Sequence, residues 1–343
     1  MREPVFWWTA PGAGAAMLAP VAAAYGAIAA RRMAQAGARA GVPVVCVGNF
    51  TVGGAGKTPS AIAIARRLIA GGRRPAFLSR GYGGRMRGPL VIDPDRRGFT
   101  ATEVGDEPLL LARTAPAVVA RDRPAGAAAA VAAGADCIVM DDGLQNPSLA
   151  KDLRIAVVDG RRGIGNGRVF PAGPLRAPLG AQLDHVDAVL VVGAADTSEA
   201  ERAAEPESAA VAAARARGLP VLRGDLRPDP EVAASLAGRR VLAFAGIADP
   251  GKFFATLEAC GIPAAVRRRF PDHHPYGPRE IAELVATAEQ EGLVLTTTEK
   301  DMARLGGEPA AKTLALMAVP LPVTLQFRDP DAVDVLLRRV MAL

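Results

Sequence analysis

Between Val42 and about Val192 the chain repeats one pattern, a short unbroken apolar run followed by a longer alanine-rich stretch. The runs are Val44–Val47, Ala76–Ser79, Ala117–Ala120, Cys137–Met140, Ile155–Val158 and Ala188–Val192. Runs of this kind, without polar alternation, predict strands buried on both faces, hence a mostly parallel sheet with helices on each side. Pro59–Ala70 and Pro124–Ala133 are predicted as two of those helices. A second α/β block follows, with strands Val241–Ala245, Ala264–Phe270, Leu293–Thr297 and Leu314–Val319 and helices Pro250–Cys260 and Pro278–Glu291. Between the blocks, the Ala/Glu/Arg-rich stretch Ala194–Gly218 reads as an exposed helix. Two extended segments, Val221–Leu226 and Val323–Phe327, flank the second block. Paired, they would form a two-stranded connector that permits hinge closure over a ligand. The expected division is a first domain over 1–220, linker strands at 221–230 and 321–329, a second domain over 231–320 and a C-terminal helix over 330–343.

The N-terminal stretch breaks this pattern, with no charged residue from Pro4 to Ala30. A signal peptide fits poorly, because a single Arg precedes the stretch. A membrane span fits by length, but Ala and Gly dominate and Pro11 and Pro20 interrupt it. Met17, Val21, Tyr25 and Ile28, with Leu18 alongside, recur at helical steps and make one apolar stripe. Phe6-Trp7-Trp8 lies ahead of the stripe and Arg31, Arg32 and Arg39 follow it. Aromatics at one end and Arg at the other suit a helix lying in a bilayer interface. That reading is taken ahead of a core helix packed on the first domain.

Composition narrows the class further. A chain of 343 residues is long enough for two cores. The net charge of +6, supplied almost wholly by Arg, favours anionic partners without choosing among phosphate, lipid and nucleic acid. Arg-rich loops without interleaved aromatics argue against nucleic acid. Cys46, Cys137 and Cys260 have no metal-ligand spacing and read as small hydrophobes in a reducing compartment.

The strongest chemical signal is Thr51-Val52-Gly53-Gly54-Ala55-Gly56-Lys57-Thr58-Pro59, between the strand Val44–Asn49 and a predicted helix. Strand, glycine loop and helix in that order make a phosphate cradle: backbone N–H groups point into one concavity, reinforced by the helix N-terminus. Lys57 would reach the β- and γ-phosphates and Thr58 would face Mg²⁺. The usual first glycine of the loop is Thr51 here. Cys137–Met140 ends in Asp141 and Asp142, where a carboxylate can hold the nucleotide's Mg²⁺. Asp106-Glu107-Pro108 precedes the apolar Leu109–Ala112; it serves equally as an N-cap with proline in the first turn or as further carboxylates for metal or proton transfer. Asp272-His273-His274 gathers two of the three histidines beside an acid, a set able to deprotonate a hydroxyl. The stretch 160–178, with Arg161, Arg162, Arg168 and Arg176, has no helical or strand period and suits an anionic substrate, as does Arg80 after another strand. A solvated basic loop is the plainer alternative for both.

Taken in order, these motifs resemble the tetraacyldisaccharide 4'-kinase family, the lipid A 4'-kinases of Gram-negative bacteria. The resemblance is carried by Gly48-Asn-x-x-Val52-Gly-Gly-x-Gly-Lys-Thr-Pro59, Ser79-Arg-Gly-Tyr-Gly, Gly105-Asp-Glu-Pro, Asp141-Asp-Gly-Leu-Gln145, Pro171-Ala-Gly-Pro-Leu-Arg176, Ala245-Gly-Ile, Phe270-x-Asp-His273 and Thr298-Glu-Lys-Asp301. It implies a P-loop NTPase-like α/β domain with a mostly parallel sheet and a smaller α/β/α domain on a two-stranded linker. It also implies ATP with Mg²⁺, a lipid disaccharide 1-phosphate whose 4'-hydroxyl is phosphorylated, and peripheral attachment to the cytoplasmic face of the inner membrane through the N-terminal helix. By motif match, Thr51 to Pro59 hold the nucleotide, while Thr58, Glu107, Asp141 and Asp142 hold the metal. Asp106 and His273 activate the hydroxyl, with Lys57 and Asp272 beside them. Arg80, Tyr82, Gln145, Asn146 and Arg176 are the expected acceptor contacts. The sequence departs from the family pattern at Asn146, where His is expected, and at Ala177, where Glu is expected. The alternative, a membrane-associated P-loop switch ATPase or GTPase, has less support. Such proteins often carry Lys at the position of Val52, and no Asn-Lys-x-Asp motif is present.

Overall fold

The structure, a computed structural model, describes residues 3–93, 98–194, 208–306 and 311–342. Its large sheet contains β1 (Val44–Asn49), β2 (Pro75–Ser79), β3 (Leu90–Ile92), β4 (Ala117–Val119), β5 (Cys137–Asp141), β6 (Leu153–Asp159), β7 (Ala188–Ala194), β8 (Val221–Pro228) and β13 (Val323–Phe327). The smaller sheet contains β9 (Val241–Ala245), β10 (Ala264–Arg269), β11 (Val294–Thr298) and β12 (Val319–Leu321). Strand order is β13-β8-β7-β6-β1-β5-β2-β4-β3 in the first and β10-β9-β11-β12 in the second. Pairing is parallel throughout except at the two margins of the large sheet, β3 with β4 and β8 with β13.

The unbroken apolar runs have the predicted meaning. In β1, Val45 and Val47 pack with Ile64 and Leu68 of helix Lys57–Ala70 and with Leu336, Leu337 and Val340 of helix Pro330–Met341. Its alternate residues Val44 and Cys46 pack on the other face with Ala127 and Ala130 of helix Arg123–Ala132 and with Val211 and Ala214 of helix Ala209–Arg215. Period-2 alternation between two buried faces is why the strand carries no polar side chain until Asn49. Cys46 and Cys137 are buried in this sheet, where loss of water pushes their thiols up to about 11 and about 12.

Two expectations need correction. Leu314–Val319 is not one strand: Lys312–Met317 is helical and only Val319–Leu321 is extended, beside Thr296–Thr298. Leu, Ala and Met are helix formers, and a single buried Leu314 suffices to seat the turn. Within Ala194–Gly218, residues 195–207 lie outside the described part. The remainder is helix Ala209–Arg215, which is not freely exposed, since Ala210, Val211 and Ala214 are buried against the sheet. The expected two-stranded pairing forms: Gly224–Pro228 of β8 runs antiparallel to β13, and Val221–Leu226 of β8 also runs parallel to β7. The chain thus enters and leaves the smaller sheet along one edge of the larger one.

Helix Ala13–Met33 turns its small residues inward and its stripe outward. Ala15, Ala22, Gly26 and Met33 are buried, whereas Met17 is 82% and Ile28 is 70% exposed. A Cβ on Gly26 would touch Pro178 and Val169, and the Tyr25 ring meets Phe170 at 5.4 Å. Trp7, also buried, donates from Nε1 to the Pro171 carbonyl at 3.0 Å. The N-terminal segment therefore leans on residues 169–178, and the rest of its apolar stripe, Met17, Val21 and Ile28, is exposed.

Candidate active site

The chain leaves β1 toward β2 on one side while β6, β7 and β8 extend the sheet on the other, so a crevice opens at the carboxyl end of β1. The glycine loop fills that crevice. Gly53 (φ 99°) and Gly56 (φ 90°) are in the left-handed region, and Gly56 is the N-cap of helix Lys57–Ala70. The loop is braced from two sides. Asn49 Nδ2 donates to the Gly53 carbonyl at 3.2 Å, Val52 N donates to the Pro174 carbonyl at 2.7 Å, and Arg176 Nε donates to the Thr51 carbonyl at 2.9 Å. Lys57 Nζ donates to the Gly53 carbonyl at 3.1 Å and lies 3.8 Å from Asp142 Oδ2. Burial lowers its pKa and Asp142 opposes the shift. A Cβ at position 53 would overlap the Glu3 carboxylate, which also accepts from Trp8 Nε1 and from Arg162.

Register places Asp141 beside Val47, one strand away from the loop. Thr58 Oγ1 donates to Asp141 Oδ2 at 3.3 Å, and the buried Oδ1 has no hydrogen-bond partner among the described residues. Burial, with Glu107 and Asp142 nearby, pushes Asp141 up to about 7. Asp142 behaves oppositely. Burial disfavours its charge, but Arg176, at 2.7 and 3.0 Å, and Lys57 outweigh that and hold it well below the usual carboxylate range.

The smaller sheet supplies the facing wall. His273 follows β10, with its N–H on the Gly246 carbonyl, and its Nδ1 meets Asp106 Oδ2 at 3.1 Å. Arg304 Nε donates to the same oxygen at 2.9 Å, and Lys300 Nζ donates to Glu107 Oε1 at 2.7 Å. Burial disfavours ionised Asp106, yet His273, Lys300 and Arg304 together hold its carboxyl far below the ordinary value. Burial likewise disfavours protonated His273, yet Asp106 and Asp272 outweigh it and raise the imidazole above its ordinary value. Arg304 is anchored by Asp301, fully buried, which also accepts from Tyr276 Oη, Thr298 Oγ1 and Gly246 N. Between the walls lies a cleft of about 1170 Å³, lined by Gly53, Lys57, Thr58, Glu107, Asp142 and Arg176 on one side and by Asp272, His273 and Lys300 on the other. Among the described residues, Asp142 and His273 are the two non-glycines with positive φ, both at 54°. A left-handed conformation costs such residues roughly 1–2 kcal/mol each. Both strained residues flank the cleft, a concentration seen at functional sites.

The family model for tetraacyldisaccharide-1-P 4'-kinase matches residues 14–342. The chain belongs to the tetraacyldisaccharide 4'-kinase family. It is 58% identical over 344 residues to the tetraacyldisaccharide 4'-kinase of Methylobacterium sp., covering 100% of this chain and 98% of that one. It is 57% identical over 333 residues to the enzyme of that name from Methylobacterium nodulans, covering 97% and 94% respectively. It also superimposes on the crystal structure of LpxK from Aquifex aeolicus in complex with ATP, with TM-score 0.72 and 25% identity over 95% of this chain and 99% of that one.

In this 4'-kinase family member, the expected site residues divide into two layers. Val52, Gly53, Gly54, Gly56, Lys57, Thr58, Pro59, Tyr82, Glu107, Asp142, Arg176, Asp272 and His273 line the cleft. Thr51, Ala55, Asp106 and Asp141 stand behind them. Three expected acceptor contacts are placed elsewhere. Arg80 is solvent-exposed at the end of β2. Gln145 Nε2 donates to the Asn49 carbonyl and to Gln182, and its Oε1 accepts from Arg176, so it braces the loop. Asn146 Oδ1 accepts from Ser148 N and Oγ and so caps its own turn. Asp106 is not the N-cap of its helix; Gly105 is, and Asp106 Oδ1 accepts from Glu107 N. Lys300 and Arg304 join the site from outside the expected set. Their signal was the spacing: two cations four residues apart on helix Glu299–Leu305 face the adjacent acids Asp106 and Glu107.

Proposed function

We propose that this chain transfers the γ-phosphoryl group of ATP to the 4'-hydroxyl of a tetraacylated glucosamine disaccharide 1-phosphate. The observation that supports it most is the convergence, across one cleft, of the phosphate loop at Lys57 and Thr58 with the Asp106–His273 pair. The acceptor itself rests on family membership. Asp106, held by Arg304, accepts the Nδ1 proton of His273, which leaves Nε2 as the base. Asp272 Oδ2, at 3.8 Å from Nε2, adds negative charge without a hydrogen bond. The acceptor oxygen forms its bond to Pγ as the bond from Pγ to the bridging oxygen breaks; ADP departs and the hydroxyl proton passes to Nε2. Lys57 and the loop N–H groups hold the phosphates. Mg²⁺, when bound, supplies neutralising charge at the β- and γ-phosphates. Thr58 and Asp141 fit such an ion best, because a buried carboxylate oxygen without a partner is what a cation satisfies. Glu107 and Asp142 stand near Asp141, paired with Lys300 and Arg176 respectively. A partner-controlled switch gives no use for the Asp106–His273 pair.

The same reading treats residues 231–320 as a unit that closes on the first domain, tethered by the two crossings at 221–230 and 321–329. Charge pairs at the cleft wall join the two sides, Arg161 and Arg162 with Asp249 and Lys252 with Asp159. The decisive experiment follows labelled phosphate from ATP onto the tetraacyl disaccharide 1-phosphate. Labelling of the lipid is expected, and ATP hydrolysis with no lipid product refutes the assignment.

We further propose that helix Ala13–Met33 rests on a bilayer surface. Its exposed Met17, Val21, Tyr25 and Ile28 end in the exposed Arg31 and Arg32, which suit anionic head groups. The triple change Met17→Gln, Val21→Gln and Ile28→Gln should weaken co-sedimentation with anionic vesicles by about tenfold or more. Undiminished sedimentation would remove the helix from the membrane contact.

A further inference from the structure

We propose that Lys300 is a stand-in cation. Before nucleotide arrives its ammonium fills the acidic corner that a divalent cation later takes, and once displaced it acts on the transferring phosphoryl group. This deepens the kinase reading and rests on it.

Three carboxylates, Asp106, Glu107 and Asp141, converge on that corner, close enough that each alters the ionisation of a neighbour. Arg304 serves Asp106 and Thr58 serves Asp141 through one oxygen, leaving Glu107 and the second oxygen of Asp141 to be neutralised. Lys300 does this with a hydrogen bond to Glu107 and with its field at Asp141. Ionised carboxylates at such depth are costly without a cation beside them.

The other cations around the corner each hold at least two described partners. Lys57 holds the Gly53 carbonyl and Asp142, Arg176 holds Asp142 and the Thr51 carbonyl, and Arg304 holds Asp106 and Asp301. Lys300 holds one described hydrogen-bond partner, on a flexible four-carbon stem whose backbone is fixed at the start of helix Glu299–Leu305. It enters the cleft from the wall opposite the phosphate loop. When a doubly charged ion satisfies Glu107 and Asp141, the ammonium is released without leaving the cleft. The remaining strong acceptors in reach are the non-bridging oxygens of the γ-phosphate. No bond to nitrogen is formed; the ammonium donates hydrogen bonds to the group in flight and remains protonated.

The two halves of this proposal predict changes of opposite sense, which a merely structural lysine does not. In Lys300→Met, Mn²⁺ binding to the nucleotide-free protein, followed by electron paramagnetic resonance, should tighten by about tenfold because the competing charge is gone. In the same variant kcat should fall by about 10²–10³, with KM for ATP nearly unchanged. Lys300→Gln, which keeps a donor for Glu107 without the charge, should show both changes and guards against loss of fold in the first variant. Unchanged or weaker Mn²⁺ binding in both variants, or a kcat close to wild type, overturns the proposal. The metal-binding arm needs no lipid acceptor, so a wild-type protein that labels no lipid fails the kinase reading separately.

Discussion

Alanine at position 273 is expected to lower kcat for lipid phosphorylation by about 10²–10⁴, with little change in KM for ATP. The side chain touches Asp106, and its ring lies 5.0 Å from that of Tyr82, but it belongs to none of the hydrophobic cores. The fold should therefore survive. A rate within a few-fold of wild type would show that another group takes the hydroxyl proton. The pH profile carries a sign that separates the partners. His273 acts as base when neutral, and Asp106 raises its pKa above the ordinary 6.5. Activity should therefore fall as pH drops through a value above 6.5. In Asp106→Asn the raising charge is lost while burial remains, so that acid limb should move to lower pH even as the plateau falls. A limb that stays in place assigns it to a different group.

Lys57→Ala carries the second large effect, a loss of about 10³ in kcat/KM for ATP, measured by phosphate transfer at varied nucleotide. The ammonium is buried against its own loop, so its removal takes away charge where the phosphates arrive. Asp142 stays paired with Arg176, and the loop keeps its braces from Asn49, Pro174 and Arg176. Stability should therefore change far less than rate. Retention of a tenth or more of the wild-type value would mean that the loop amides alone carry the phosphates.

The legible parts of this molecule are those written in local pattern. Six apolar runs became six strands of the large sheet because burial on both faces leaves a run without polar positions. The glycine loop was legible because left-handed backbone at Gly53 and Gly56 and a helix start at Lys57 are local properties. Leu314–Val319 misled because a short apolar run has no period long enough to separate helix from strand. Gln145 and Asn146 adjoin the acidic pair in sequence, but the turn after Asp142 (φ 54°) sends them back into the scaffold. Lys300 and Arg304 are illegible for the opposite reason. Their meaning depends on Asp106 and Glu107 nearly two hundred residues away, a pairing that only the closing of one sheet over another creates.

Residues 169–178 touch both the N-terminal helix and the phosphate loop: Val169, Phe170 and Pro178 seat the helix, and Pro174 and Arg176 grip the loop. One rigid strut thus ties the surface proposed to meet the bilayer to the point where phosphate is transferred. On a bilayer it would work as a depth gauge. An acceptor drifting in the plane of the leaflet would meet the reaction centre at a fixed height, so the encounter becomes a two-dimensional search. Only the sugar head would have to rise to that height; the four acyl chains could stay in the hydrocarbon. The large energy of pulling a lipid into water would then never enter the turnover.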